Sequence, residues 1–499
     1  MIEYKTTKKL FKKSFLIKLD ELRFRILAIF LITLGISIRL YHFIMNRSIW
    51  LDEAMLSNNI INRSYIQLLQ PLDERQIAPI GFLMVQKFFI STFGVSEYSL
   101  RAFPLIAGIL SIILFYFLLR KIGGERFACA GLLFFIFGKL LIYHSTEAKQ
   151  YYMDVFVFII SYYYLHLKTT DFNSLKSVIC KGLLGAILIW FSHCTVFFLA
   201  SIGIILAIEI LFHRNFSSVS GFMIMVVLWL GSFGINYYFF LSNHSSQSIQ
   251  ESAFMVAGYL PPEGSLAGKI GWLMPLLKQS VTYPLNIDSL YPLLILISIG
   301  LWFVIVTKEY RLLALILPFL IHILLSFLYI YPFGGRFNLY FGAAAILFIS
   351  LGLKAVAVKL KMFGLLIALI IITFLIYNPA KYSFKTVEFE EMKSALRYIQ
   401  EHKNDNDLLY IHFASMPAYR FYKETFPLKN LEIIEGSVAY DGFERDFHLV
   451  SGKERVWVLL THFDESDRKR IMEKSKGKGQ LLEQYEYNGA LTLLYSFAE

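Results

Sequence analysis

The sequence predicts an all-α membrane protein: a polytopic bundle of about eleven transmembrane helices with juxtamembrane helices, plus a small C-terminal α/β domain on the outer face. Hydrophobic residues make up 56% of the 499 residues, and the mean hydropathy is +0.55. Uncharged runs near about 20 residues recur, and this is the length of helix that crosses a bilayer. After Tyr377 shorter amphipathic segments replace these runs, which predicts the separate α/β domain.

The first 25 residues predict a cytoplasmic N-terminus. They contain eight Lys or Arg residues and three acidic residues, and such a basic excess is typical of the cytoplasmic side. The apolar run that follows is too long for the core of a signal peptide, and no small-residue cleavage site follows it. We therefore predict a basic cytoplasmic segment, residues 1–24, that leads into an uncleaved first transmembrane helix.

Eleven apolar runs between residues 25 and 378 are the candidate transmembrane helices. They are residues 25–45, 101–119, 127–143, 153–167, 179–192, 195–212, 219–241, 289–307, 312–330, 337–353 and 363–378. Counted from a cytoplasmic N-terminus, this arrangement places every basic connecting segment on the same side of the membrane. That agreement with the positive-inside rule supports the count.

One further apolar run, residues 78–94, leaves two alternatives open. It is short and contains Lys87, so we predict a helix that lies in the outer membrane interface. The alternative is a twelfth crossing, which would invert the orientation of everything that follows. If residues 78–94 lie in the interface, residues 46–94 form a first outer loop.

The C-terminal region, residues 379–499, is predicted to fold as an extracytoplasmic α/β domain. Apolar residues at helical spacing predict a helix over residues 388–402, and a second, polar helix is predicted over 465–475. Four apolar runs predict strands, at residues 407–414, 431–436, 455–463 and 490–497. We find no glycine-rich phosphate loop in this region.

Unusual polar side chains collect at the predicted outer ends of the helices. Ionisable groups at such positions indicate a functional site, although interfacial Tyr, Trp, Lys and Arg also form the ordinary membrane belt. The acid pair in "SIWLDEAMLS" (48–57) is the least ordinary of them. The candidate site residues are Arg47, Trp50, Asp52, Glu53, Glu147, Lys149, Tyr151, Tyr152, His193, Tyr331 and Arg336.

These residue types suit the transfer of an activated sugar from a lipid phosphate. A carboxylate, Asp52 or Glu53, could take the proton of an acceptor hydroxyl as the new bond forms. Lys149 and Arg336 could neutralise the phosphate leaving group. His193 is either a hydrogen-bonded structural residue or a base. No ligand spacing demands a metal, but the acids could hold a divalent cation; no other cofactor is indicated.

Four segments, in this order and spacing, resemble a known family. They are "WLDEA" (50–54), "APIGFLMVQKFFISTFGVSEYSLRAFPLIAG" (78–108), "STEAKQYYMD" (145–154) and "YPFGGRFNLYF" (331–341). Together they are similar to GT-C glycosyltransferases that use polyprenyl-phosphate sugars, such as protein O-mannosyltransferases and aminoarabinose lipid A transferases (glycosyltransferase family 39-like). The resemblance covers most of residues 25–350, and the C-terminal region also looks like the tail of bacterial members.

The resemblance implies an inverting transfer of a monosaccharide from a polyprenyl-phosphate donor to a lipid, glycan or protein acceptor outside the membrane. It implies a base at Asp52 or Glu53, with Asp52 favoured, and donor-phosphate contacts at Lys149 and Arg336. The expected location is a bacterial inner membrane, crossed many times. Ala78-Pro79 stands where many members have His-Pro-Pro, and Lys149 where Arg is usual, so contact with the phosphate at 149 would be monodentate.

Two other classes of function compete with the enzyme. A transporter or flippase of lipid-linked sugars would show internal repeats and a site near the bilayer midplane, whereas the polar groups here gather at one face. A scaffold role for the outer domain would not need Asp52. The net charge of +11 follows from the positive-inside rule, so we expect no nucleic-acid partner. The three cysteines show no CxxC spacing, so neither a disulfide framework nor a zinc site is predicted.

Overall fold

The computed structural model describes residues 2–167, 171–242, 258–259, 265–438 and 442–498, which form a helical bundle and a C-terminal sheet domain. The bundle is all-α, as predicted. Its helices are α1 (Ile2–Ile44), α2 (Leu51–Asn62), α3 (Ile80–Phe93), α4 (Glu97–Gly123), α5 (Glu125–Phe137), α6 (Lys139–His144), α7 (Tyr151–Ile160), α8 (Leu175–Leu188), α9 (Thr195–Phe212), α10 (Val219–Asn236), α11 (Leu266–Thr282), α12 (Leu290–Thr307), α13 (Leu317–Phe327) and α14 (Tyr340–Tyr382).

Within the described ranges, seven helical segments are long and apolar enough to cross a membrane, which makes this a multi-pass membrane protein. They are Asp20–Ile44, Glu97–Gly123, Thr195–Phe212, Phe216–Leu241, Leu290–Thr307, Tyr310–Phe327 and Tyr340–Tyr382. The predicted number of eleven crossings is not confirmed, because several predicted spans coincide with shorter or interrupted helices. The predicted run 127–143 is divided between α5 and α6 by Gly138, whose backbone is extended.

In the predicted inner connection between the last two crossings, residues 354–360 are helical and Lys361 is not. Residues 337–353 and 363–378, predicted as two separate crossings, lie almost entirely in α14, with the first three residues just before its start. A non-helical backbone at Lys361, with φ of 52° and ψ of −128°, divides α14 into two parts. The two predicted crossings thus correspond to two helical parts that are separated at Lys361, and the predicted connection before Lys361 belongs to the first of them.

Residues 78–94 contain the short helix α3. It has 14 residues, fewer than the roughly 20 that a crossing needs, and it packs against α2 and α4. The ammonium group of Lys87 donates to the carbonyl oxygens of Ile60 (2.9 Å) and Ile61 (3.0 Å), in the last turn of α2. A cation stabilises that end of a helix. Lys87 therefore has a partner within the fold, and the interfacial position of α3 stays a prediction.

Helices α12 and α14 pack together through a reciprocal pair of glycines. A Cβ atom on Gly300 would meet the carbonyl oxygen of Phe348, and a Cβ atom on Gly352 would meet that of Leu296. Each glycine thus lies against the backbone of the other helix. Small residues at such crossings let transmembrane helices approach closely.

The C-terminal region forms the predicted α/β domain. Its elements are α15 (Met392–His402), β1 (Leu408–Ile411), α16 (Met416–Tyr422), β2 (Glu432–Glu435), α17 (Gly442–Val450), β3 (Val456–Thr461), α18 (Glu465–Ser475), β4 (Gln480–Tyr487) and β5 (Ala490–Ser496). The strand order is β2-β1-β3-β5-β4, with β1 parallel to both β2 and β3, and β5 antiparallel to β3 and β4. The sequence missed β4, whose exposed, charged residues do not make an apolar run.

The C-terminal domain also holds the start of α2. Backbone N–H groups of three residues there donate to its side chains: Ser48 to Glu388 (2.7 Å), Ile49 to the Tyr422 hydroxyl (2.8 Å) and Leu51 to Glu390 (3.1 Å). The first N–H groups of a helix have no partner within the helix. Leu51 is the first residue of α2, so the domain supplies an acceptor for one of these groups and also holds the two residues before the helix. The predicted domain boundary at residue 379 stays a prediction.

Candidate functional site

Asp52 occupies the first turn of α2 and lies between two cations. Its Oδ1 is 3.0 Å from Lys149 Nζ, and its Oδ2 is 2.7 Å from Arg336 Nη1. Lys149 precedes α7, and Arg336 follows the two-glycine turn before α14. The structure thus brings together the three residues that the sequence assigned to the base and the donor phosphate, although they come from three distant segments.

Two neutral groups complete the surroundings of Asp52. Gln76 accepts a hydrogen bond from Lys149 Nζ (2.7 Å) and donates to Asp52 Oδ1 (3.4 Å). The Tyr151 hydroxyl donates to Asp52 Oδ2 at 3.5 Å. The Asp52 side chain keeps 17% of its surface exposed, whereas Lys149 keeps 2%. Asp52 is therefore the more exposed residue of this pair.

The charges in this cluster set its protonation. Burial raises the pKa of Asp52, but Lys149 and Arg336 outweigh burial and lower it to about 2. Burial lowers the pKa of Lys149, and Asp52 opposes that shift. Asp52 is consequently ionised at neutral pH. With Lys149 also charged, two cations face this one carboxylate, and both are groups that can also bind an anionic ligand.

Glu53, the other member of the acid pair, is held in a different environment. It is fully buried and pairs with Arg101 through both oxygens, at 2.7 Å to Nε and 2.8 Å to Nη2. The Ala148 N–H also donates to it, at 2.7 Å. Glu53 thus ties α2 to α4 and to the segment that carries Lys149. This geometry favours Asp52 over Glu53 as a base and gives Glu53 a positioning role.

An aromatic and acidic cluster lies beside Asp52. Trp50 Nε1 donates to Glu147 Oε1 at 2.9 Å, and Glu147 Oε2 lies 2.6 Å from His144 Nδ1. The Arg336 guanidinium lies 4.8 Å from the ring centre of Tyr151 and 5.6 Å from that of Trp50. Cation–π contacts of this kind hold an arginine in place without using all of its donors. Three of the predicted substrate-binding residues, Trp50, Glu147 and Tyr151, therefore surround Arg336.

The other predicted substrate-binding residues are placed further back. Arg47 is buried, donates to Thr146 Oγ1 (2.9 Å) and lies over the Tyr143 ring, and Tyr152 is fully buried. Both residues are therefore buried and do not line an open surface of the site. Tyr331 accepts from the Cys194 thiol (3.8 Å), and His193 precedes this cysteine. Tyr331 packs on Phe337, which contacts Tyr151, so its contact with Asp52 is indirect.

The sequence reasoning missed several residues that the structure brings to the site. Arg101 lies within the segment 78–108, and Gln76 lies just before it. Nothing in the sequence spacing pairs Arg101 with Glu53 or Gln76 with Lys149. Glu390 and His462 come from the C-terminal domain. His462 Nδ1 lies 3.0 Å from Glu390 Oε1, and its ring lies 6.3 Å from that of Trp50. Contacts between segments so distant in sequence leave no local signal.

The acids that could hold a divalent cation are engaged by cations of the protein in this structure, and metal binding stays a prediction. In the ranges that the structure describes, no group of three or more His, Cys, Asp or Glu side chains could hold a metal ion. Asp52 already contacts two cations, and both oxygens of Glu53 contact Arg101. Hard divalent cations need several oxygen ligands around one point. We therefore assign no step to a metal.

Comparisons with known proteins give the fold. No protein-family model and no curated protein matches the chain. Crystal structures of ArnT from Cupriavidus metallidurans, in the apo state and bound to undecaprenyl phosphate, each match with a TM-score of 0.53 and 11% identity, over 93% of this chain and 97% of theirs. The Archaeoglobus fulgidus oligosaccharyltransferase, in complex with Zn and sulfate, matches with a TM-score of 0.49 and 14% identity, over 94% of this chain and 73% of its own. The two ArnT matches show that the chain has the fold of ArnT.

Proposed function

We propose that the protein is an inverting glycosyltransferase that moves a monosaccharide from a polyprenyl-phosphate donor to an acceptor hydroxyl. The observation that carries this proposal is the position of Asp52 between Lys149 and Arg336, at 3.0 and 2.7 Å. A carboxylate beside two cations offers a base and a phosphate site in one place. The match to ArnT bound to undecaprenyl phosphate supports a lipid phosphate as the anion.

In the proposed reaction the acceptor oxygen attacks the anomeric carbon from the side opposite the phosphate. The new bond forms while the bond between that carbon and the phosphate oxygen breaks, so the configuration inverts. The hydroxyl proton passes to Asp52, and the electron pair of the broken bond leaves on the phosphate. Lys149 and Arg336 neutralise that charge. Electrostatic stabilisation of the charge that develops on a leaving group is a large part of catalysis in such sites.

Donor binding and base strength are linked in this arrangement. A carboxylate with a pKa of about 2 is a weak base. A bound phosphate competes with Asp52 for the same two cations, and each contact that it takes over raises the pKa of Asp52. Asp52 thus becomes a stronger base when the donor is in place, which favours transfer to the acceptor only with both substrates bound.

The setting of the reaction is also part of the proposal. We place the site at the outer face of a bacterial inner membrane, with the N-terminus in the cytoplasm and the C-terminal domain outside. The basic connecting segments support this orientation. A site at the ends of the helices lets a polyprenyl chain stay in lipid while the sugar and the acceptor meet in water.

The test compares donor turnover by purified wild-type protein, Asp52→Asn and Asp73→Asn. The labelled polyprenyl-phosphate sugar and the acceptor are first identified by mass spectrometry of envelope glycans and glycoproteins from a deletion strain. We expect Asp52→Asn to lower turnover by at least about 100-fold, the usual contribution of a general base. Asp73 lies in the same loop but is 73% exposed, so Asp73→Asn should retain activity.

Two outcomes would contradict the proposal. Asp52→Asn could turn over the donor at the wild-type rate, which would remove the proposed base. Alternatively, wild-type protein in liposomes could move the labelled lipid across the bilayer without any acceptor and without product, and this result would indicate a transporter.

A further inference from the structure

The C-terminal sheet has a switch point that faces the site. From β1 the chain moves to β2 on one side, and from β2 it returns across β1 to β3 on the other side. All three strands are parallel, so their carboxyl ends lie at one edge. In open α/β sheets ligands bind in the crevice at such a point. His412 and His462 directly follow the carboxyl ends of β1 and β3.

His462 is held by contacts that connect the sheet to α2. Its Nδ1 lies 3.0 Å from Oε1 of Glu390, a carboxylate that is 2% exposed, and the other oxygen of Glu390 accepts from the Leu51 N–H. The backbone of His462 is left-handed, with φ of 50°. Such a conformation in a residue other than glycine is uncommon and is found at functional sites more often than elsewhere. Nδ1 is engaged, so Nε2 is the nitrogen that can meet a ligand.

Two more rings extend this surface towards Asp52. Trp50 lies 5.6 Å from Phe389 and 6.3 Å from His462, measured between ring centroids. Phe389 is 46% exposed, and the His462 side chain is 51% exposed. We call Trp50, Phe389 and His462 the aromatic platform. It lies beside Arg336, which contacts both Trp50 and Asp52.

We infer that the aromatic platform is the acceptor subsite and that it binds a sugar ring of a glycan acceptor; this inference rests on the proposed function. A sugar ring has an apolar C–H face that can lie on an aromatic ring, and hydroxyls at its rim that can meet polar groups. Sites of this kind combine aromatic walls with a few polar groups that fix orientation. Here the imidazole of His462 supplies the polar group, and Asp52 lies two residues after Trp50 in the chain.

The sheet topology argues against an extended peptide as the acceptor at this position. Peptides often bind sheets by adding a strand at a free edge. The edge strands of this sheet are β2 and β4, whereas His462 follows β3, which has β1 and β5 as neighbours. The part of the platform that comes from the sheet therefore lies at the end of a central strand. It does not offer a free strand edge with which a peptide could pair.

The test measures binding of four disaccharides to purified full-length protein: chitobiose, maltose, mannobiose and lactose. Isothermal titration gives Kd for wild type, Phe389→Ala, His462→Ala and the control His448→Ala. His448 is an exposed histidine on α17, away from the platform. We expect wild type to bind at least one disaccharide and the two platform variants to weaken that Kd by about tenfold or more. His448→Ala should bind as wild type does.

Undecaprenyl phosphate binding is measured in parallel, because it separates this inference from the proposed function. The platform variants should bind undecaprenyl phosphate as wild type does, since they keep Lys149 and Arg336. The unfolding temperature of Phe389→Ala should stay close to that of wild type because this side chain is 46% exposed. His462→Ala should unfold at a lower temperature, because it removes a partner of the buried Glu390 carboxylate. The inference is overturned if wild type binds none of the four disaccharides, or if the platform variants bind them as tightly as wild type does. It is also overturned if a peptide that contains Ser or Thr binds the platform and no disaccharide does. Loss of undecaprenyl phosphate binding in wild type would instead contradict the proposed function.

Discussion

At the scale of single residues, the state of Asp52 is decided by a competition between burial and charge. Burial disfavours the carboxylate, and the two cations favour it; the cations prevail, so the pKa of Asp52 is about 2. Adjacent Glu53 faces another direction, because neighbouring residues on a helix point about 100° apart. Two acids that look equivalent in the sequence therefore have separate roles: one is open to a ligand, and the other positions the site.

This pKa predicts how acid affects stability. The pKa of Asp52 lies below its ordinary value of 3.8, so the unfolded chain binds the proton more readily than the folded one. The stabilisation by ionised Asp52 is present above about pH 4 and is lost as the pH falls towards about 2. The difference in Tm between wild type and Asp52→Asn should be constant near neutral pH and shrink in acid. A difference that grows or stays constant down to about pH 2.5 would contradict this assignment.

Single residues also show how much of the candidate site could be predicted from the sequence. The predicted topology places Asp52, Lys149 and Arg336 at the same face of the membrane, because the basic connecting segments indicate which ends of the helices lie together. It could not pair Glu53 with Arg101, since both flank apolar runs and several cations lie at similar positions. Nor could it find Glu390 and His462, which reach the site only through the docking of a domain whose position depends on tertiary contacts.

At the scale of secondary-structure elements, the buried Glu53–Arg101 pair fastens α2 to α4. Both side chains are almost fully buried. Arg101→Met should destabilise the fold by about 3–5 kcal/mol, because it leaves a buried carboxylate without its partner. The double variant Arg101→Met/Glu53→Gln should recover part of this loss. Lys453→Met is the control, since its pair with Glu432 is about half exposed and such pairs contribute about 0–1 kcal/mol.

Thermal unfolding in detergent measures these differences. Equal losses in Arg101→Met and Lys453→Met would show that the buried pair has no special part in stability, contrary to our account.

The glycine pair between α12 and α14 leads to a second prediction at this scale. Gly300→Ala should destabilise the bundle by about 1–3 kcal/mol, since the added methyl group meets the backbone of α14. Gly231 on α10 has open space around its Cβ position, so Gly231→Ala should be neutral or mildly stabilising. Unfolding temperatures compare the two variants, and a loss as large in Gly231→Ala would refute the argument from close approach.

Elements were predicted well where hydropathy alone determines them. Long apolar helices such as α4 and α9 follow from their composition. The differences fall where local backbone or context decides: the extended Gly138 between α5 and α6, the helical residues before Lys361, and the exposed strand β4. A helix break at a single residue and a strand without an apolar face leave the hydropathy pattern nearly unchanged, so hydropathy alone does not determine the number of crossings.

At the scale of the whole molecule, the site forms where the bundle and the C-terminal domain meet. The bundle supplies Lys149 and Arg336, α2 supplies Asp52, and the domain supplies the acceptors that hold the first turn of α2. The domain thus positions the acid and, by our inference, also offers a surface to the acceptor.

The most direct test of the central claim measures undecaprenyl phosphate binding and sugar transfer in the same variants. If Asp52 and the donor phosphate share Lys149 and Arg336, Asp52→Asn removes a competitor for these cations. It should bind undecaprenyl phosphate more tightly than wild type while transfer falls by at least about 100-fold. Arg336→Met should weaken that binding. Weaker undecaprenyl phosphate binding by Asp52→Asn, or transfer at the wild-type rate, would contradict the account.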